Sequence, residues 1–205
     1  MGCHSWIYKK VTSFPKEELN KRLQEVYDKE MNCWIGKTPR EQYAKELFED
    51  LPHTVETYRD KAMKDYLIEK MGTYEKCLKI WDDWHKEMEK TKERIDKFCS
   101  SEEYDPKEYY EIVKEQKGYS CDVRIYKDDY YIHYAGNNIF RCHKYSEDDG
   151  PFDNENDLIK FLEQLNETSI VRWNENDEQE YGLTDKLREI IKELFKNDDV
   201  FVEFG

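Results

Sequence analysis

An aspartate, an arginine, a histidine and a cysteine fall close together in this chain, at Asp122, Arg124, His133 and Cys142. Those residue types can do nucleophilic chemistry: a thiolate attacks, an imidazole within hydrogen-bond reach takes the proton, and a carboxylate orients the imidazole. A guanidinium beside them would hold an anion. They lie in residues 119–145, YSCDVRIYKDDYYIHYAGNNIFRCHKY, where the charged helical pattern gives way to short alternating strands. Lys127-Asp128 and Gly136-Asn137 read as two-residue hairpin turns, giving a three-stranded meander. In that register Arg124 lies opposite Tyr131, Asp122 opposite His133, and His133 opposite Phe140. Alternation puts Val123, Ile125, Ile132 and Ile139 on a core face with Cys121 and Tyr134. It puts Asp122, Arg124, Tyr131, His133, Phe140 and Cys142 on the other face, with Cys142 diagonal to His133. A plainer reading is a half-covered sheet face with an Asp–His pair, since no nucleophile elbow or protease-type cysteine motif accompanies these residues.

Two Cys-His dipeptides, Cys3-His4 and Cys142-His143, supply a second candidate constellation. Four such ligands suit zinc if the N-terminal strand lies beside the meander. Neighbours on a strand point to opposite faces, so each dipeptide needs a bulge to give two ligands. Cys3 and Cys142 otherwise read as small buried apolar residues, and no other cofactor is expected. His85, between Trp81/Trp84 and Met88 on a helical stripe, reads as a packing histidine.

The chain has 205 residues, of which 39% are charged and 15% aromatic, with 16 Tyr and 5 Trp. Acidic disordered chains lack such aromatics, so this one can bury a core. No apolar run reaches membrane-span length, and no signal-peptide core is visible. Six cysteines without a framework spacing point to free thiols in a reducing cytoplasm. The net charge is −14, and residues 119–205 hold 10 basic against 21 acidic side chains, a net of −11. Direct nucleic-acid binding needs basic patches and is not expected. An acidic surface suits a basic protein partner. The residues expected to meet it are Glu147, Asp148, Asp149 and Asp153 in one loop and Glu175, Asp177 and Glu178 in another, with an exposed aromatic as anchor.

These residues need a frame. CHSWIYKKV at 3–11 alternates like a strand. Pro15, the Thr38-Pro39-Arg40-Glu41 capping box, Thr54, Thr73 and Asp105-Pro106 each mark a helix start. Asp153 or Asn154 and then Thr184 start two more helices; Ser169–Trp173 and Val200–Val202 read as strands, with NENDEQE a loop. The fold class is therefore α+β: a mainly antiparallel sheet with helices packed on one face and a large helical insertion after the first strand. The expected division is an N-terminal strand at 1–13 joining the C-terminal sheet, a helical region at 14–118, and an acidic α+β module at 119–205.

The opening Gly2–Lys10, GCHSWIYKK, resembles the start of small uncharacterised proteins encoded by bacteriophages and related mobile elements. That resemblance implies an accessory or host-takeover role, in the host cytoplasm, rather than housekeeping metabolism. The expectation is a non-enzymatic protein that binds a basic, nucleic-acid-handling protein and blocks or redirects it. The alternatives are a small hydrolase or ligand-binding enzyme using Cys142, His133, Asp122 and Arg124, and a zinc-stabilised module using Cys3, His4, Cys142 and His143.

Overall fold

A computed structural model describes residues 3–116, 118–135, 139–143, 150–174, 176–196 and 199–204. The chain divides into two compact units, Met1–Lys16 with Asp105–Gly205, and Glu17–Tyr104. The fold is α+β, with a large helical stretch after the first strand. No helix among the described residues is long and apolar enough to cross a membrane.

The helical unit is built from α1 (Lys16–Met31), α2 (Trp34–Lys37), α3 (Arg40–Thr57), α4 (Lys61–Met71) and α5 (Tyr74–Ser100). Cys77, Met88, Thr91, Ile95 and Phe98 form the buried stripe of α5, at the three- and four-residue steps that keep side chains on one helix face. The Thr73 side chain caps α5 by accepting from the Lys76 amide at 3.3 Å, and Asp60 caps α4 through the Ala62 amide at 2.9 Å. Arg40 clamps Asp82 with two charge-assisted bonds of 2.6 and 2.7 Å, and the Trp81 indole donates to the Thr38 carbonyl at 3.0 Å. His85 stacks on Trp81, with ring centroids 3.4 Å apart.

Two expectations fail in this unit. The capping box at Thr38 does not form: the cap position falls on Pro39, which has no side-chain acceptor to offer. Nor does a helix start at Thr54, because α3 runs on through Pro52 to Thr57. Pro52 removes one intrahelical donor. Downstream, the Thr54 hydroxyl bonds Asp50 at 2.9 Å and the Thr57 hydroxyl bonds the Thr54 carbonyl at 2.7 Å.

The second unit is a sheet with helices on one side. Its strands are β1 (Cys3–Lys10), β2 (Val123–Tyr126), β3 (Asp129–Ala135), β4 (Arg141–Cys142), β5 (Ile170–Trp173), β6 (Gln179–Tyr181) and β7 (Val200–Phe204). All the pairings are antiparallel. The order is β2-β3-β1-β4-β5-β6, and β7 pairs with β1 as well. Helices α6 (Pro106–Glu115), α7 (Glu155–Glu163) and α8 (Asp185–Leu194) complete the unit. Ile7, Phe140, Cys142, Ile170 and Val202 of the sheet side meet Leu158, Leu162, Leu187 and Ile191 of α7 and α8 in one core. The Asn154 side chain caps α7 through the Asp157 amide at 2.9 Å, and Thr184 caps α8 through the Leu187 amide at 3.2 Å.

The first hairpin has the register its turn implies. Lys127 and Asp128 both take positive φ, 48° and 65°, and Arg124 pairs with Tyr131. The rest of the meander does not form. β3 and β4 both pair with β1, which lies between them, so His133 opposes Tyr8 and not Phe140. The Gly136-Asn137 turn lies outside the described residues. A bulge decides the faces: Ile7 pairs with Ala135 while Tyr8 pairs with His133, so Tyr134 is the extra residue. Ala135 then turns toward the helical core, while His133 stays on the opposite face with Tyr8. Ile125 and Tyr134, expected in the core, are 55% and 49% exposed. NENDEQE is no mere loop either, since Gln179–Tyr181 pairs with β5.

Candidate interaction surface

The face of the sheet turned away from α7 and α8 carries a second, aromatic cluster. Around its middle Tyr8, Tyr131 and Phe201 are buried against one another, with Trp6 and Tyr126 packed beside them. Tyr8 stacks on Phe201 with ring centroids 5.0 Å apart, and its hydroxyl donates to the Cys121 carbonyl at 3.0 Å. Burial pushes the Tyr8 hydroxyl up from 10.0 to about 12; Arg124, whose guanidinium lies 5.1 Å above the ring, acts in the opposite direction.

The four residues of the nucleophilic reading are not brought together. Cys142 is fully buried in the helical core. His133 is on the other face, edge-on to Trp6 at 5.2 Å and to Tyr8 at 6.0 Å. Asp122 falls in a one-turn 3-10 helix, Ser120–Asp122, just before β2 begins. Arg124 is committed inside the fold: it pairs with Glu203 at 3.2 Å and donates to the Cys121 and Val123 carbonyls at 3.1 and 3.0 Å. The physical reason is the Tyr134 bulge, which breaks the alternation that would have put His133 and Cys142 on one face.

Of the zinc candidates, Cys3 opposes Cys142 and His4 opposes Arg141 in the β1–β4 ladder. His143 is exposed, and its amide donates to the Ser169 carbonyl at 2.7 Å. Among the described residues no group of three or more His, Cys, Asp or Glu side chains could hold a metal ion.

Of the acidic candidates, Glu147, Asp148, Asp149 and Glu175 lie outside the described residues. Asp153 is engaged within the fold: Tyr126 donates to it at 3.1 Å and Lys127 forms a short ion pair with it. The hydrogen bond from Lys127 holds the Asp153 carboxyl below its usual range. Asp153 therefore ties the β2–β3 turn to the start of α7.

Asp177 and Glu178 are different. They sit in the turn between β5 and β6, and both are exposed. Asn174 organises that turn. Its side-chain oxygen accepts from the amides of Asn176 and Glu178 at 2.9 and 3.0 Å, and its amide nitrogen donates to the Glu178 carboxylate at 3.1 Å. Asp177 takes a positive φ of 60°, which asparagine and aspartate tolerate better than most residues. On β6, Tyr181 is 51% exposed. Sequence reasoning missed Trp173 and Arg141, whose guanidinium lies 4.6 Å over the Trp173 ring. A strand reading of residues 179–181 would have exposed the grouping, but three residues between charged neighbours give little periodic signal.

Comparison with known proteins returned no match to a family model, a curated protein or a solved structure.

Proposed function

We propose that this chain is a non-enzymatic interaction protein that binds and modulates a basic protein partner through the acidic surface of its sheet unit. The supporting observation is the β5–β6 turn, which holds Asp177 and Glu178 outward on a self-bonded loop beside the exposed ring of Tyr181. Preorganised charge steers encounter, and a rigid aromatic next to it supplies apolar area at low entropic cost. Residues of the sheet unit carry 16 basic and 25 acidic side chains, a net of −9. Such a field suits a protein that handles nucleic acid and carries a basic face of its own. The phage-like opening fits an accessory role of this kind in the cytoplasm of a host cell.

The test is capture of the partner by tagged protein from a bacterial lysate, at low and high salt, beside the double variant Asp177→Asn/Glu178→Gln. One stoichiometric basic partner is expected, weakened by salt and by the variant. A partner held equally at both salts, and equally by the variant, would overturn the reading.

A further inference from the structure

Cys3 stands directly opposite Cys142 in the β1–β4 ladder. Directly opposed residues of an antiparallel pair share one face of the sheet. Their Cα atoms stand about 4.5 or about 5.5 Å apart, according to the kind of pair, and a disulfide spans about 4.4–6.8 Å between Cα atoms. The bond also needs Cβ atoms about 3.5–4.5 Å apart, against about 4.5–5.5 Å for opposed residues, so closure draws the strands together by roughly an ångström. Neighbouring contacts fix this register. The Ser5 hydroxyl donates to the Phe140 carbonyl, two residues further along β1, and the His143 amide donates to the Ser169 carbonyl at 2.7 Å on the other side of β4. A slip of one residue would put the two cysteines on opposite faces. The other four, Cys33, Cys77, Cys99 and Cys121, lie on no strand.

We propose that Cys3 and Cys142 are an oxidisable dithiol that closes into a disulfide when it meets a low-molecular-weight disulfide such as oxidised glutathione. The Cys3 thiolate attacks one sulfur of the oxidant, whose S–S bond breaks and releases one thiolate. Cys142 then attacks the Cys3 sulfur of the mixed disulfide and displaces the second. Two protein thiols become one disulfide, one oxidant disulfide becomes two thiols, and the two protons pass to the released thiolates. Cys142 is buried in the core, so the oxidant enters at Cys3. The inference is independent of the interaction reading above.

The bond falls at a narrow place in the sheet. β4, β5 and β6 join the other strands through the two residue pairs of the β1–β4 ladder. These strands carry the turn with Asp177 and Glu178, and a covalent rung would lock them to β1. Positions 3 and 142 also enclose the whole helical unit, Glu17–Tyr104, and a link across so long a loop restricts the unfolded chain.

The full chain is reduced, exchanged into oxidised glutathione, blocked with N-ethylmaleimide and digested without reductant. Peptide mass spectrometry is expected to find Cys3 linked to Cys142, and dithiothreitol to separate them. The urea midpoint should rise on oxidation and return on reduction. Cys3→Ser, which leaves the buried Cys142 in place, should lose both the link and the rise. Glutathione retained on Cys3 with no transfer to Cys142 would overturn the inference. So would a link from Cys3 chiefly to Cys121 or Cys33, a Cys3–Cys142 link that forms only in urea, or a midpoint that rises equally in Cys3→Ser.

Discussion

Cys142 and His133 point to opposite faces of the same sheet, the one into the core under α7 and α8, the other against Trp6 and Tyr8. The thiol has no path to the imidazole without repairing the bulge at Tyr134. In the folded protein Cys142 should resist iodoacetamide, while Cys121, which is exposed, should react. Alkylation followed by peptide mass spectrometry checks this. Rapid labelling of Cys142 under native conditions would contradict the burial.

The link from Asp153 to Lys127 and Tyr126 makes a pH-dependent contribution to stability. The carboxyl is held below its ordinary 3.8 in the fold, chiefly by the Lys127 hydrogen bond. The stabilisation is therefore fully present above the unfolded value and is lost as pH falls through the lower folded value. Asp153→Asn should cost about 0.5–1 kcal/mol at neutral pH, given the exposure of Lys127. The difference should vanish in strong acid. Urea unfolding of both proteins at neutral and at acid pH reads it directly.

Tyr8 behaves in the opposite sense. Its folded value of about 12 exceeds the unfolded 10.0, because burial penalises the phenolate. Stability from this group is present below pH 10.0 and is lost as pH rises toward 12. Tyr8→Phe should cost about 1 kcal/mol near neutrality by removing the bond to the Cys121 carbonyl. It should also flatten the alkaline fall in stability, which unfolding midpoints measured across that range would show.

The turn at Lys127 and Asp128 carries strain that can be relieved. Both residues have positive φ, where an L side chain costs roughly 1–2 kcal/mol and glycine almost nothing. Asp128→Gly should raise stability by about 0.5 kcal/mol after the entropy that glycine adds to the unfolded chain. A lower denaturation midpoint for the variant would show that the aspartate side chain holds the turn by some other means.

The sequence made this hairpin legible because a two-residue turn fixes register locally: placing Lys127-Asp128 at the tip forces Arg124 opposite Tyr131. It could not make the third strand legible. Whether β4 follows β3 or stands across β1 depends on a pairing with residues far away in the chain. Nothing local announces that Tyr134 is the extra residue, and one such insertion exchanges the faces of everything beyond it. The helices were easier, since Asn154, Thr184, Thr73 and Asp105 each carry an oxygen at the cap position. Thr54 misled because a hydroxyl inside a helix looks the same in sequence as one at its start. At the candidate surface the acidic turn was visible as charge. The Arg141–Trp173 contact was not, because it joins two strands whose adjacency is set by the sheet order.

That order also bears on how the protein comes off the ribosome. Strand β1 precedes all of its partners in the chain, yet it pairs with β3, β4 and β7, and Ser5 meets Phe204. Until those later strands are made, its alternating aromatic and aliphatic side chains are an unpaired edge. The helical unit, Glu17–Tyr104, draws its contacts from one continuous segment and can fold while the sheet is still incomplete. The helices should therefore assemble before the sheet is complete. Stalled or shortened chains would carry a finished helical unit tethered to an orphan strand.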